Sequence, residues 1–378
     1  MGNKAMSKPK GAFPMKRRWC SVIIGLVVTG LLVGGPGIQA QGDGDKPLVP
    51  IMPDNVGQLE QIQLLGPDQS VVTSVEFSRR NPDLLAFGSS AGYTYLWKFG
   101  ESEVTKYEYQ FGPIVDVAFN PELGYLASAR PDLAALVWDI DPPKWSAAYM
   151  TGDSILTVAF SLDGYTLAFG GEDRIHVSDF ESVPGGGFIG LQRIDTNEGP
   201  DAFHVIEEDS GQINSLAYSP DGIHIAAGIG GGNSIEPGGR VKIWNLETMM
   251  ASRTLKGHTG AVLDVKYDST GMLLASASAD HTIRLWELEL GRLVMTFLGH
   301  TDEVTAVAFS PDGTLLASVG SDGTLRFWDV ATGEQVSLID LTDSGANPVW
   351  DVDFSADGTM LATASEDGFV RLWAVKGE

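Results

Sequence analysis

The chain is 378 residues long, 43% hydrophobic, and carries 25 Lys and Arg against 49 Asp and Glu, a formal net charge of −24. Its apolar content suffices for a large core, while its acidity disfavours phosphate backbones and anionic membrane surfaces, which call for a basic stripe. The single cysteine, Cys20, excludes an intrachain disulfide and a thiolate metal site.

The charge is unevenly placed. Six cations (Lys4, Lys8, Lys10, Lys16, Arg17 and Arg18) and no acid precede Ala40. Without them, 19 cations face 49 acids, a net −30. Lys16-Arg17-Arg18 leads into an apolar run from Trp19 to Val33, followed by Gly34-Gly35-Pro36-Gly37 and then Ile38-Gln39-Ala40. The run is too short for a comfortable membrane span and has the layout of an export signal, with a small residue where a signal peptidase cuts. Residues 1–40 are expected to be a signal peptide cleaved after Ala40, with Met15 as a second possible start. The mature chain is then expected in the cell envelope or outside the cell, with no membrane insertion. Residues 41–55, rich in Gly, Asp and Pro, read as a flexible linker.

From about Val56 to Glu378 a motif returns roughly every forty residues, which marks a stacked or circular repeat fold. The copy at Gly299 reads GHTDEVTAVAFSPDGTLLASVGSDGTLRFWDV, and the copy at Gly257 reads GHTGAVLDVKYDSTGMLLASASADHTIRLWEL. In the first, a β-branched run at Val304–Phe309 meets the turn Ser310-Pro311-Asp312-Gly313. A second run, Leu315–Val319, meets the turn Ser321-Asp322-Gly323. A third ends at Trp328-Asp329, and a fourth covers Gln335–Ile339. Four antiparallel strands per repeat make one propeller blade. Third-strand endings at Trp97, Trp138, Ser178, Trp244, Trp286, Trp328 and Trp373 predict seven blades, with the long interval after Ser178 holding an insertion over about 181–211. The last repeat stops after its third strand, and Gln58–Leu65 is a spare strand-like run that should complete it. The expected fold class is all-β: a seven-bladed propeller closed by its N-terminal strand.

These residues resemble the WD-repeat propeller family over about Val56 to Glu378. The resemblance implies a hydrogen-bond chain of His, Ser or Thr, Asp and Trp inside each blade. It maps onto His258, Ser276, Asp280 and Trp286 in repeat five, and onto His300, Ser318, Asp322 and Trp328 in repeat six. Repeats two and seven keep partial sets: Ser128, Asp132 and Trp138, then Thr363, Asp367 and Trp373. Repeat three has Asp173 but Ser178 for Trp, repeat one has Ala91-Gly92 for the Asp, and repeat four has a long hairpin over Gly230–Gly239. Blades one, three and four are therefore expected to be held less firmly than five and six.

A repeated His/Asp pair satisfies polar groups inside a blade, and one catalytic site per blade is not expected. The chain contains no HExxH and no phosphate loop; its Gly185-Gly186-Gly187 and Gly230-Gly231-Gly232 read as hairpin or loop tips, and Asp163, Asp221, Asp312 and Asp357 read as turn residues. No enzyme activity, cofactor or metal is expected. Aligning the innermost strands places Thr73, Val115, Leu156, Asn214, Leu263, Thr305 and Trp350 in a ring on the face where the resembled family commonly binds partners. The resemblance implies a noncatalytic scaffold, expected to be a monomer, that grips a protein or peptide there. Trp350 is the anchor, and Asp116, Asp264 and Asp351, directly after ring residues, favour a basic side chain of the partner. The same three acids keep a second reading open, a sugar or calcium-dependent receptor or enzyme.

Overall fold

The computed structural model describes residues 47–377 apart from position 67 and positions 109–111, 133, 151–152, 179–180, 195–202, 209–210 and 232–237. The expected export segment, and residues 41–46 of the expected linker, lie outside the described residues.

Short alternating runs bounded by Asp-Gly and Asn turns fold into antiparallel sheets. Blade one comprises Val72–Phe77, Leu84–Ser89, Tyr93–Lys98 and Val104–Glu108; blade two Asp116–Phe119, Tyr125–Arg130, Ala134–Asp139 and Lys144–Met150. Blade three comprises Ser154–Phe160, Thr166–Ser178, Glu181–Arg193 and Phe203–Glu208; blade four Ile213–Tyr218, His224–Ile229, Arg240–Asn245 and Met250–Lys256. Blade five has Val262–Tyr267, Leu273–Ser278, Thr282–Glu287 and Arg292–Leu298, and blade six Val304–Phe309, Leu315–Gly320, Thr324–Asp329 and Gln335–Asp340. Blade seven has Val349–Phe354, Met360–Ser365 and Val370–Lys376, completed by Glu60–Leu65. The first strands of all seven blades pack against one another in sequence, and that of blade seven packs against that of blade one, closing the ring.

The core lies between blades. Among the described residues the buried side chains fall into seven apolar clusters, one at each blade–blade seam. The second strand Leu315–Gly320, Leu-Leu-Ala-Ser-Val-Gly, is buried at every position because both faces of the sheet are covered. Small Ala, Ser and Gly let neighbouring sheets approach closely, and each late Trp, such as Trp286, packs across the seam onto the preceding blade.

The closing strand behaves as expected: Leu65 pairs with Val370 and Glu60 with Ala374. The linker does not. Leu48 and Val49 pair with Lys376 and Val375, the Ile51 amide donates to the Gly358 carbonyl at 2.9 Å, and Ile51 and Val56 are buried in the seam between blades six and seven. Apolar residues in a Pro-rich stretch outweigh its turn composition once a sheet edge is available.

Blade three also departs from expectation. Its second and third strands form one long hairpin, with Gly171 opposite Phe188 and His176 opposite Ser182. Leu167 pairs with Gln192, as Leu274 pairs with Trp286 in blade five, so Gln192 holds the Trp seat rather than Ser178. The stretch 181–211 is therefore not an insertion. It supplies the third and fourth strands of the blade, and Gly187 lies within the third strand rather than at a loop tip.

Candidate functional site: the axial channel and its mouth

Blades five and six each contain a hydrogen-bond chain of His, Ser, Asp and Trp. His258 Nδ1 lies 2.8 Å from Asp280 Oδ2, its Nε2 lies 2.8 Å from Ser276 Oγ, and Trp286 Nε1 donates to that hydroxyl at 2.9 Å. His300 repeats this with Asp322 at 3.0 Å and Ser318 at 2.8 Å, and Trp328 donates to Ser318 at 2.9 Å. Burial opposes ionisation of Asp280 and Asp322. Hydrogen bonds from the His rings, the Thr282 and Thr324 hydroxyls and the Thr259 and Thr301 amides outweigh it and hold both carboxyls well below the usual range. These residues are interior fixtures rather than a reacting pair.

The other blades use substitutes. Trp138 donates to Ser128 at 3.0 Å and Trp373 to Thr363 at 3.1 Å, while Arg130 and Arg371 take over the Asp132 and Asp367 carboxylates that no His reaches. Blade one uses Asp68, which accepts from Tyr95 Oη at 2.7 Å. Blade four uses Glu208, almost fully buried, which meets Lys242 at 2.6 Å and Arg240 at 3.6 Å. Glu208 was expected in a loop insertion and is instead a bridge from blade three to blade four.

The seven ring residues line one axial channel of about 470 Å³. Three of them serve the ring itself. Thr73 donates to the Ile114 carbonyl at 2.7 Å, Asn214 to the Val262 carbonyl at 2.8 Å, and Thr305 to the Val349 carbonyl at 2.6 Å, each crossing to the next blade. Val115, Leu156 and Leu263 are half-buried in the wall, and Trp350 is 36% exposed at the mouth. The indole N–H of Trp350 donates to Glu366 Oε2 at 2.9 Å, a partner the sequence reading missed. Exposed Asp302, Glu303 and Asp343 stand on the neighbouring loops of blades six and seven.

Asp116, Asp264 and Asp351 line the same channel, but their carboxylates are engaged across seams. Asp116 accepts from the Val158 amide at 2.9 Å, from Thr157 Oγ1 at 2.9 Å and from Ser74 Oγ at 3.2 Å. Asp264 accepts from the Val307 amide at 3.0 Å and Ser215 Oγ at 2.7 Å, and Asp351 from the Val75 amide at 2.9 Å. Two further acids do the same: Asp353 accepts from the Phe77 amide at 2.8 Å and Glu76 from the Phe119 amide. Lys266 stands among them. The carboxylates, Asp264 first, hold its ammonium protonated against the pull of burial. Burial, followed by the nearby Asp353 charge, pushes Glu76 up to about 8, and burial pushes Asp351 up to about 7. Among the described residues no group of three or more His, Cys, Asp or Glu is arranged to hold a metal ion.

A closed ring of seven four-stranded blades, with polar chains inside the blades and channel acids binding blade to blade, defines a repeat β-propeller. The family model described as WD domain, G-beta repeat, matches residues 202–245, 250–287, 291–329 and 337–374, each segment starting in the outer strand of one blade and ending in the next. Those four segments are WD repeats, and the seven-bladed ring has the architecture of a WD-repeat propeller. It is 42% identical over 84 residues to nuclear distribution protein nudF 1 of Talaromyces marneffei, and 39% identical over 84 residues to nuclear distribution protein PAC1 of Arthroderma otae. Each match covers 22% of this chain and 17% of the relative. WD repeat-containing protein SL1-17 of Schistosoma mansoni is 28% identical over 214 residues, 55% of this chain and 62% of that protein. The matched region thus spans about a sixth of the nuclear distribution proteins.

Proposed function

We propose that this protein is an exported, noncatalytic scaffold that holds a protein or peptide segment over the channel mouth on the Trp350 face. The observation that carries this reading is Trp350 itself: a large aromatic in the ring, 36% exposed, with its indole fixed by Glu366. A pre-positioned, partly exposed Trp is the kind of residue that anchors an interface. The exposed Asp302, Glu303, Asp343 and Glu366 around it favour a segment bearing Lys or Arg. A receptor or enzyme working through Asp116, Asp264 and Asp351 is less well supported, since each of those carboxylates already accepts hydrogen bonds from a neighbouring blade.

Export rests on the cationic and apolar layout of residues 16–40. N-terminal sequencing of protein recovered from the native medium or envelope should read from Gln41; recovery from the cytosol with residues 1–40 attached would overturn export. Affinity capture with protein beginning at Gln41, run beside its Trp350→Ala variant, tests the face. A protein retained by the first and lost by the second is expected, and equal capture by both would move the interface elsewhere.

A further inference from the structure

The opposite face of the ring carries the turns that join first to second strands and third to fourth. In blades six and seven the residue after the turn glycine is a threonine, Thr314 or Thr359, whose hydroxyl donates to its own turn aspartate, at 3.0 and 2.9 Å. In blades three, four and five the same seat holds Tyr165, Ile223 and Met272, all exposed and Met272 64% so. The outer turns of blades four and five add Met249, Met250 and Leu290, the last two 68% and 67% exposed. The two blades are knit together on this face. Arg253 of blade four donates to the Glu289 carbonyl of blade five at 3.4 Å, and Gly271 of blade five lies against the Pro220 ring of blade four.

Met249 also carries a backbone cost. It holds φ at 55°, in the seat that Gly291 and Gly333 fill in the next two blades at 65° and 74°. Glycine adopts that conformation freely and a side chain does not. An exposed methionine kept in a glycine conformation points to a use for the side chain. Around the apolar residues stand the exposed acids Asp163, Asp221, Glu247 and Glu289. Of the cations nearby, Arg292 is paired with Glu287 at 2.9 Å, His224 lies 3.7 Å from Asp221, Arg253 is turned onto the Glu289 carbonyl, and Arg193 ends the third strand of blade three opposite Thr166.

We infer that this methionine-rich, acid-rimmed surface on blades three to five is a second docking site, separate from the Trp350 face, for the apolar side of a basic amphipathic helix. Methionine is flexible and polarisable and repacks against varied apolar side chains, and acids at the rim complement Lys and Arg flanking the helix's apolar stripe. The partner's basic residues meet the rim and its aliphatic or aromatic anchors meet Met250, Met272 and Leu290.

Titration of a labelled eighteen-residue Leu/Lys amphipathic peptide into protein beginning at Gln41, with a Leu/Glu peptide of the same pattern as control, tests this. The Leu/Lys peptide should bind and the Leu/Glu peptide should not. Met250→Glu with Met272→Glu, both at exposed positions, should weaken binding at least about tenfold, and Met249→Gly should weaken it while raising the melting temperature. Trp350→Ala should leave it unchanged, which separates this surface from the proposed partner face. Failure of the Leu/Lys peptide to bind, equal binding of both peptides, or binding that survives the methionine variants would overturn the inference. So would a dimer in sedimentation that the methionine variants dissociate, since a second copy would then be the occupant. Binding to the protein from Gln41 but not to the full chain would assign the surface to the chain's own N-terminal segment and equally overturn it.

Discussion

At the scale of single residues, polar side chains do two different jobs. Inside blades five and six, His258 and His300 each link a carboxylate to a hydroxyl that also takes the Trp indole. His300→Ala leaves Ser318 and Asp322 short of a partner in a buried setting and should cost about 1–3 kcal/mol, read as a lower melting temperature with capture at the Trp350 face retained. Along the channel, carboxylates staple neighbouring blades. The two groups respond to pH with opposite signs. Glu76 and Asp351 are raised, to about 8 and about 7, so the folded state holds protons that the unfolded chain releases. Their contribution is full at low pH and is lost as pH rises from the ordinary carboxyl range through those values. Asp280 and Asp322 are depressed, so their contribution is present above the ordinary carboxyl range and lost as pH falls below it. The melting temperature should therefore peak near pH 5 and decline by pH 8.5. Glu76→Gln, which mimics the protonated acid, should flatten the alkaline decline. A melting temperature that climbs steadily to pH 8.5 would refute the buried-acid account.

At the scale of strands and blades, closure depends on a strand far away in sequence. Glu60–Leu65 and Leu48–Val49 both pair with Val370–Lys376, and without them that strand has an open edge. A chain begun at Gly66 should lose the seams on either side of blade seven and aggregate, judged by size-exclusion chromatography; a soluble monomer with unchanged melting would contradict this. The same scale explains what could be read in advance. Blades five and six were legible because every link of their chains stands at its expected spacing. Blade three was misread because Gln192 replaces the Trp and its hairpin is lengthened with no Ser-x-Asp-Gly turn to mark it. The cross-seam role of Asp116 and Asp264 escaped because a carboxylate's reach to the next blade is not written in its own repeat. A trace was there: Ser74, Asp116 and Thr157, and again Ser215 and Asp264, hold the same seat in consecutive repeats, acceptor beside donor. Glu366 beneath Trp350 had no such trace, since the contact is set by how the last hairpin folds over the mouth.

At the scale of the whole molecule, seven apolar seams and five channel acids support the ring. The proposed recognition surfaces are therefore the rims of the two faces. On one, a Trp stands among acids; on the other, methionines do. A formal net charge of −24 makes association with any basic partner faster at low salt, so raising ionic strength should slow capture on either face. The most direct test of the account is the affinity of a captured partner for the wild-type protein and for Trp350→Ala, measured by calorimetry at equal melting temperature. The account predicts a loss of about 2 kcal/mol or more, roughly thirtyfold in Kd, with the fold intact. An unchanged Kd would contradict the claim that the channel mouth is where this propeller holds its partner.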